Sequence, residues 1–412
     1  MRDCARSLNL CYIFSIRGFF VGNTVAVEPT TFVRARVRAT SVPWYVRTSL
    51  IASACAIVGE LWDISWHISI GRDTFWTPAH LLIQLCAVLG ASTCARLLLR
   101  TTFSKDPGVR ATSVRVLGFR GPMGAFVVMW GAGAMLASAP FDNWWHNAYG
   151  LDVKILSPPH VLLVLGIVCV EFGGLLLALG SMNTADGISR SRLAWIFLCI
   201  GGILLTQAMF LGGDYMVRSL MHSAIFYLTA SLAVPVVLVA IAEASGKRWA
   251  MTTVAAIYMT FLIAMMQILR LFPAQTKLGP VYQQITHFVF PFFPLLLIVP
   301  GFFLDLLRPR VRQFSPWLRA LAFAAVFLAV IVAVQWPFGV FLNSAASRNA
   351  IFATNDFAYT WRPDHPAVRH VFFPFEATRT AFWSTMGLAF LCAILTSRLG
   401  LAWGKWMRGV RR

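Results

Sequence analysis

The sequence contains few charged residues. Asp, Glu, Lys and Arg together make up 12% of its 412 residues, whereas hydrophobic residues make up 58% and the mean hydropathy is +0.69. Soluble domains carry about 25% charged residues, so the composition excludes an ordinary soluble globular protein. Apolar runs about twenty residues long recur along the chain, and runs of this length are typical of helices that span a bilayer.

Acidic residues are especially scarce. The chain has 16 acidic and 35 basic residues, for a net charge of +19. A basic excess of this size is common in nucleic-acid-binding proteins, but here the basic residues lie in the loops between apolar runs. In that position they indicate membrane topology. We therefore expect a lipid bilayer as the partner and no nucleic acid.

Paired cysteines are also absent. None of the eight cysteines forms a C-x-x-C pair, and most lie inside apolar runs, where a buried small residue is expected. They give no information about the redox compartment. The N-terminal region has no uncharged core followed by a cleavage site, so it is a poor signal peptide. We interpret residues 1–47 as a cytoplasmic tail.

The apolar runs predict an all-α, polytopic membrane bundle of about ten transmembrane helices. Residues 48–182 form a four-helix unit, 183–342 a five-span scaffold, 343–380 an extracytoplasmic loop, and 381–412 the last span with a basic cytoplasmic tail. The predicted spans are 48–69, 79–98, 120–140, 159–182, 193–213, 219–242, 249–271, 283–307, 317–342 and 381–402.

The distribution of basic residues orients these spans. Loops on the side of the two termini hold 26 Lys and Arg, and loops on the other side hold nine. Positive loops stay in the cytoplasm, so both termini are predicted to be cytoplasmic. We interpret the chain as a multi-pass protein of a bacterial inner (plasma) membrane.

One motif occurs twice, each time where an apolar run ends. The first copy runs from Asp63 through His67, Gly71 and Asp73 to His80, and the second from Asp142 through His146, Gly150 and Asp152 to His160. Both fit the pattern D-x2-W-H-x3-G-x-D, a spacer, then [S/T]-P-x-H, and the spacers differ by one residue. The shared special positions in register indicate an internal duplication.

The spacing predicts two metal sites. An Asp and a His four residues apart lie on one helix face. Gly71 and Gly150 suit helix ends, Pro78 and Pro158 suit first helical turns, and Thr77 and Ser157 suit N-caps. A tight turn then brings His80 to Asp63 and His67, and His160 to Asp142 and His146. Two imidazoles and a carboxylate suit copper, zinc or ferrous iron.

Further polar residues are candidates to orient the ligands or to carry protons. Glu60 precedes His67 by seven residues and Glu171 follows His160 by eleven, which returns each to the face of its motif histidine. An acid at the depth of Glu171 is a functional candidate, although a protonated acid bonded to a neighbouring helix is an equal alternative. The other candidates are Asp73, Gln84, Asn143 and Asp152.

The four remaining histidines are also expected on the outer side. They are His222, His287, His365 and His370. Polar residues gather at membrane interfaces in any case, so their roles stay open. The aromatic loop 343–380 is interpreted as a lid, a docking surface or an ordered connector.

The two ligand spacings resemble a known family. Asp63-x3-His67-x12-His80 and Asp142-x3-His146-x13-His160 resemble the membrane metal sites of the C subunit of particulate methane and ammonia monooxygenases. That family has Asp-x3-His-x12-His at one site and Asn-x3-His-x13-His at the other, so Asp142 departs from its pattern. The resemblance covers residues 48–182 and implies copper at both sites. It also implies companion membrane subunits.

Three functions compete at this point. The first is a copper-dependent membrane monooxygenase, or a subunit of one, acting on a small apolar substrate as an oxidoreductase. The second is a transporter or acquisition protein for copper or another divalent metal, with Glu60 and Glu171 on the inward path. The third is a structural membrane protein. One deep acid favours a fixed site over transport. Companion subunits or a homo-oligomer are the expected partners.

Overall fold

Helices make up most of the chain. The computed structural model describes residues 42–71, 74–111, 113–150, 157–290 and 293–411. The predicted tail lies mostly outside these residues, and its last residues, from Trp44 on, already belong to the first helix. The helices are α1 (Trp44–Ser69), α2 (Pro78–Thr102), α3 (Pro107–Ala111), α4 (Met123–Tyr149), α5 (Pro158–Thr184), α6 (Gly187–Leu211), α7 (Ala224–Ser245), α8 (Ala250–Leu269), α9 (Ile298–Arg310), α10 (Pro316–Leu342) and α11 (Arg379–Gly409).

Strands contribute very little. Among the described residues one two-stranded antiparallel hairpin, β1 (Val114–Val116) and β2 (Phe119–Gly121), connects α2 to α4. Three short 3-10 turns lie at Gly213–Tyr215, Arg218–Leu220 and Ala345–Ser347. The architecture is therefore an all-α bundle, as the composition predicted.

Nine of the described helices are long and apolar enough to cross a membrane. They correspond to nine of the ten predicted spans, with ends that differ by up to nine residues. Most are longer than predicted because polar residues such as Asp142 and His146 continue α4 beyond its apolar run. The protein is accordingly a multi-pass membrane protein.

The eighth predicted span, 283–307, is not a continuous helix. Residues 288–290 and 293–296 are non-helical, and α9 has 13 residues, or about 20 Å of helix. A span of the hydrocarbon core needs about 30 Å. The sequence explains the break, because Pro291 and Pro294 remove backbone donors and disfavour helix before them.

Neighbouring helices supply hydrogen bonds to this non-helical stretch. Ser65 on α1 donates to the carbonyl of Val289 at 2.6 Å, and the Val289 amide donates to the Ser69 hydroxyl at 2.8 Å. Deeper in the bundle, the amide of Leu295 donates to the hydroxyl of Tyr258. Irregular backbone is tolerated at membrane depth only where it is bonded and covered by protein in this way.

The duplication is visible as two antiparallel hairpins, α1–α2 and α4–α5. Small residues let the helices of the second hairpin approach closely. A Cβ at Gly131 would lie 2.6 Å from the carbonyl oxygen of Gly166, and one at Gly124 would lie 2.5 Å from that of Gly173. We call the end of the bundle where α1 and α4 finish the site end.

A charged cluster holds the opposite end together. Glu243 on α7 accepts from Arg319 on α10 at 2.6 Å and from Arg408 on α11 at 3.1 Å. Arg308 on α9 lies 3.5 Å from the same carboxylate. One buried acid thus joins four helices, and α9 reaches this end of the bundle.

Candidate metal centre

The first triad, which we call site 1, comprises Asp63, His67 and His80. Asp63 and His67 lie one turn apart near the end of α1, and His80 lies in the first turn of α2. The Asp63 carboxylate is 3.1 Å from Nε2 of His80 and 3.7 Å from Nε2 of His67. The tight turn that the sequence predicted therefore assembles the three side chains.

Site 2 has the same construction in the second hairpin. Asp142 and His146 lie near the end of α4, and His160 lies in the first turn of α5. The carboxylate of Asp142 is 3.3 Å from Nε2 of His146 and 3.4 Å from Nε2 of His160. The two sites are structurally equivalent, as expected from the duplication.

The predicted glycines and prolines lie where the helices of each hairpin end and begin. Gly71 and Gly150 have φ angles of 86° and 88°, which an L-residue rarely adopts. Pro78 and Pro158 open α2 and α5, and Thr77 and Ser157 occupy the N-cap positions. The expected side-chain capping bond is absent in both repeats, and both hydroxyls are buried without a hydrogen bond among the described residues.

Backbone carbonyls orient one histidine in each site. Nδ1 of His80 donates to the carbonyl of Thr74 at 3.0 Å, and Nδ1 of His146 donates to the carbonyl of Gly150 at 3.3 Å. A ring nitrogen that donates to a carbonyl leaves the other nitrogen with a lone pair. In metal sites the distant nitrogen of a ligating histidine is usually fixed in this way.

Both triads fit a divalent transition metal. In each, one ligand atom per residue lies within 4.8 Å of the other two. Ligands about 2.0–2.1 Å from a tetrahedral ion are separated by about 3.3 Å, close to the observed carboxylate–imidazole distances. In addition, Oδ1 of Asp63 and Oδ1 of Asp142 are buried without a well-formed hydrogen bond, so each oxygen can accept an ion. Both triads can therefore hold a metal.

The second half of the chain supports site 1. The last carbonyls of α1 would lack helical partners, but Ile68, Ser69 and Ile70 accept hydrogen bonds at 3.1, 3.0 and 2.9 Å. Their donors are the Tyr359 amide, the Thr276 hydroxyl and the Lys277 amide. The Tyr359 hydroxyl also contacts Gly71.

The surroundings of site 2 are aromatic. The last turns of α4 carry an aromatic cluster in which Trp144 and Tyr149 are 54% and 68% exposed. Phe141 stacks on Trp144, and Trp145 packs against Tyr149 with ring centroids 4.5 Å apart. The described residues give the end of α4 no bonds like those that support α1.

The structure separates the six additional candidate residues. Glu60 and Glu171 are buried, at 5% and 0% exposure. Gln84 lies one turn below His80, with its side-chain oxygen buried and not hydrogen-bonded. Asn143 is exposed and one step from the ligand face of α4. Asp73 and Asp152 lie outside the described residues.

Sequence reasoning missed the partner of Glu60. Gln207 on α6 is 1% exposed, and its amide donates to Glu60 Oε1 at 3.1 Å. A polar amide in the middle of an apolar span was the available signal. Tyr359 and Thr276 were missed because they reach site 1 from distant parts of the chain.

The four other histidines do not join the triads. His222 stacks between Trp336 and Phe372, and His287 pairs with Asp356 at 3.2 Å. His365 stacks on Trp361, and burial lowers its pKa. Burial, reinforced by Arg218 and Arg348, lowers the pKa of His370 to about 4. Their described contacts are packing and loop interactions.

Comparisons of the chain with protein-family models, curated proteins and solved structures found no match.

Proposed function

We propose that this protein is an integral membrane metalloprotein that binds two divalent ions, copper above all, and acts as a copper-dependent monooxygenase-like oxidoreductase or a subunit of one. The observation that carries the proposal is the pair of equivalent triads with one imidazole in each oriented by a carbonyl. Copper is favoured because affinity at nitrogen and oxygen ligands peaks at copper among first-row divalent metals. Zinc and iron are the alternatives.

The residues of each triad have distinct roles. The carboxylate supplies negative charge, and the two imidazoles supply neutral nitrogen donors. Three protein ligands leave positions open for an exogenous molecule. A bound copper ion supplies one-electron and oxygen chemistry, for which the apolar aromatic surroundings suit a small apolar substrate. The resemblance of the spacings to the monooxygenase C subunit supports this reading.

The same proposal includes compartment and partners. The excess of basic residues at the end opposite the sites supports a bacterial inner membrane with both termini cytoplasmic and both sites outside. The exposed aromatic cluster beside site 2 supports contact with companion membrane subunits or a second copy.

Metal stoichiometry tests the proposal. Purified wild-type protein loaded with copper should hold two ions per chain by elemental analysis. His80→Ala and His160→Ala should each hold one, and the double variant none. His365→Ala is the matched control, because this histidine lies at the site end outside both triads, and it should keep two. Hydroxylase activity should disappear together with the metal.

Two results would overturn this assignment. Retained activity in a demonstrably metal-free His67→Ala/His146→Ala protein would exclude the catalytic role. Zinc at both sites in cells replete with copper would exclude the copper assignment.

Transport of a divalent metal is the second candidate. Buried Glu60 and Glu171 and the non-helical eighth crossing favour it, because transporters use broken helices and mid-membrane acids. Copper flux into sealed proteoliposomes, lost in Glu171→Gln with the two bound ions retained, would favour transport over oxidation.

A further inference from the structure

A polar group lies inside the bundle, deeper than site 1. It consists of Glu60 on α1, Glu171 on α5 and Gln207 on α6, all at most 5% exposed. Gln207 donates to Oε1 of Glu60, and a charge on Glu60 acts on the carboxyl of Glu171. The other oxygens of these three side chains have no hydrogen bond among the described residues.

Among the described residues, no positive charge lies beside this group. The titratable groups that face it are Asp63 from α1 and Cys86 from α2, with Cys55 beside Cys86. Within the described part of the chain neither carboxyl has a cationic partner. Burying one unpaired carboxylate costs several kcal/mol, and a second anion beside it costs more. The group is therefore stable with both acids protonated.

We propose that Glu60 and Glu171 form an internal proton-holding site that releases one proton when a divalent ion fills site 1. This inference rests on the metal binding proposed above. Glu60 precedes Asp63 by three residues, so it lies about 4.5 Å from Asp63 along the axis of α1, on the side away from the site end. A doubly charged ion one turn away strongly favours the ionised form in a weakly screening interior.

The proton balance is simple. The O–H bond of Glu60 breaks, and the carboxylate keeps the electron pair. The carboxylate still accepts the hydrogen bond from the Gln207 amide. The released proton passes site 1 to solvent. His67, whose side chain is 44% exposed, marks this open face. Glu171 keeps its proton, because a second anion would again lack a counter-charge. The ion adds two positive charges near Glu60, and the new carboxylate offsets one of them, so the net added charge is +1.

The second repeat provides an internal comparison. The position equivalent to Glu60 is Ala139, and the position in the first repeat equivalent to Glu171 is Ala91. A requirement of the hairpin fold would place acids in both repeats. The acids converge only below site 1, so proton release should accompany ion binding at site 1 and not at site 2.

Zinc-induced infrared difference spectra test the inference, because the carbonyl stretch of a protonated carboxyl is distinct from that of a carboxylate. The His146→Ala/His160→Ala protein keeps site 1 alone and should lose one protonated-carboxyl band on binding one zinc. Adding Glu60→Gln should abolish that loss. Glu376→Gln, a change at the site end outside the bundle core, should not. The His67→Ala/His80→Ala protein should bind zinc at site 2 with no loss.

Protein without metal tests the proton-holding site separately. Glu171→Gln should remove one protonated-carboxyl band and leave the melting temperature unchanged, because glutamine is a neutral isostere of the protonated acid. No band to remove, or a large loss of stability, would mean that the pair is ionised and would overturn the inference.

Zinc results distinguish the two proposals. One zinc bound at site 1 with the band intact would refute coupled release and leave the metalloprotein standing. No zinc at either site would refute both the metalloprotein and the release. A third zinc that is lost in Glu171→Gln would make the pair a cation site instead.

Discussion

The orientation of single imidazole rings determines what the triads can do. His80 and His146 each direct Nδ1 to a backbone carbonyl and Nε2 to a carboxylate. In an ion pair with aspartate the ring carries protons on both nitrogens, and in a metal site the ion takes the place of the proton on Nε2. In both states the bond at Nδ1 keeps Nε2 directed at the centre of the triad.

His370 should make the stability of the fold depend on pH. Its pKa is about 4 in the folded protein, because of burial and the nearby Arg218 and Arg348, against about 6.5 in an unfolded chain. Between these values the unfolded chain binds a proton that the folded chain does not. Its contribution to stability is therefore complete above pH of about 6.5 and is lost as pH falls toward 4.

His370→Asn should remove this part of the pH dependence. Asparagine does not titrate, and it tolerates the φ of 54° at this position. The measurement is the melting temperature in detergent across this pH range for both proteins. Identical slopes would contradict the prediction.

The sequence predicted the two triads because their geometry is local. Each Asp–His pair lies within one helical turn, and the third ligand follows a single short turn. Gln207, Tyr359 and Thr276 were not predicted because their contacts join residues more than a hundred positions apart. Helical periodicity contains no information about such contacts.

At the scale of elements, the two hairpins share a design but differ in support. The end of α1 is fixed by three hydrogen bonds from distant segments, and the described residues give the end of α4 no such bonds. Ligands already held in place lose less freedom when an ion binds. Site 1 should therefore bind zinc more tightly than site 2.

Competition with a chelator in proteins that keep one site each measures this difference. We expect site 1 to be about tenfold tighter, or about 1.4 kcal/mol. Thr276→Val should weaken site 1 about fivefold, the effect of about one hydrogen bond, and leave site 2 unchanged. Thr253→Val, which removes an exposed hydroxyl bond at the other end, is the control. Equal affinities, or no effect of Thr276→Val, would contradict the argument.

The broken eighth crossing shows where periodicity reasoning failed. Residues 283–307 are as apolar as a spanning helix, and apolarity alone predicted one. The prolines were visible in the sequence, but the partners that make a non-helical path tolerable were not. Ser65, Tyr258 and Gln335 come from three different helices.

At the scale of the whole molecule, the described residues run along the bundle ten times, in nine long helices and the broken eighth segment. An even number returns the C-terminus to the side of the first helix's start. The Glu243 cluster, which includes residues from α9 and α11, lies at that end. The two ends of the bundle therefore differ from each other, because basic residues cluster at one end and the triads lie at the other.

Labelling of introduced cysteines in intact cells tests this topology. Asp364→Cys at the site end should react with an impermeant maleimide from outside. Lys105→Cys and Lys405→Cys, both exposed at the opposite end, should react only after permeabilisation. Reaction of Lys105→Cys and Lys405→Cys on different sides would mean an odd number of passages. If Lys105→Cys and Lys405→Cys reacted from outside and Asp364→Cys only after permeabilisation, both triads would lie on the cytoplasmic side.

The broken crossing also dictates the order in which the protein is built. Its backbone takes hydrogen bonds from α1 and α8, which leave the ribosome earlier, and from Gln335 on α10, which leaves later. The bonds to α1 and α8 can form before α10 is made, but the Leu296 amide meets Gln335 only after α10 has entered the bilayer. The eighth passage therefore completes its hydrogen bonding later than the helices on either side of site 1.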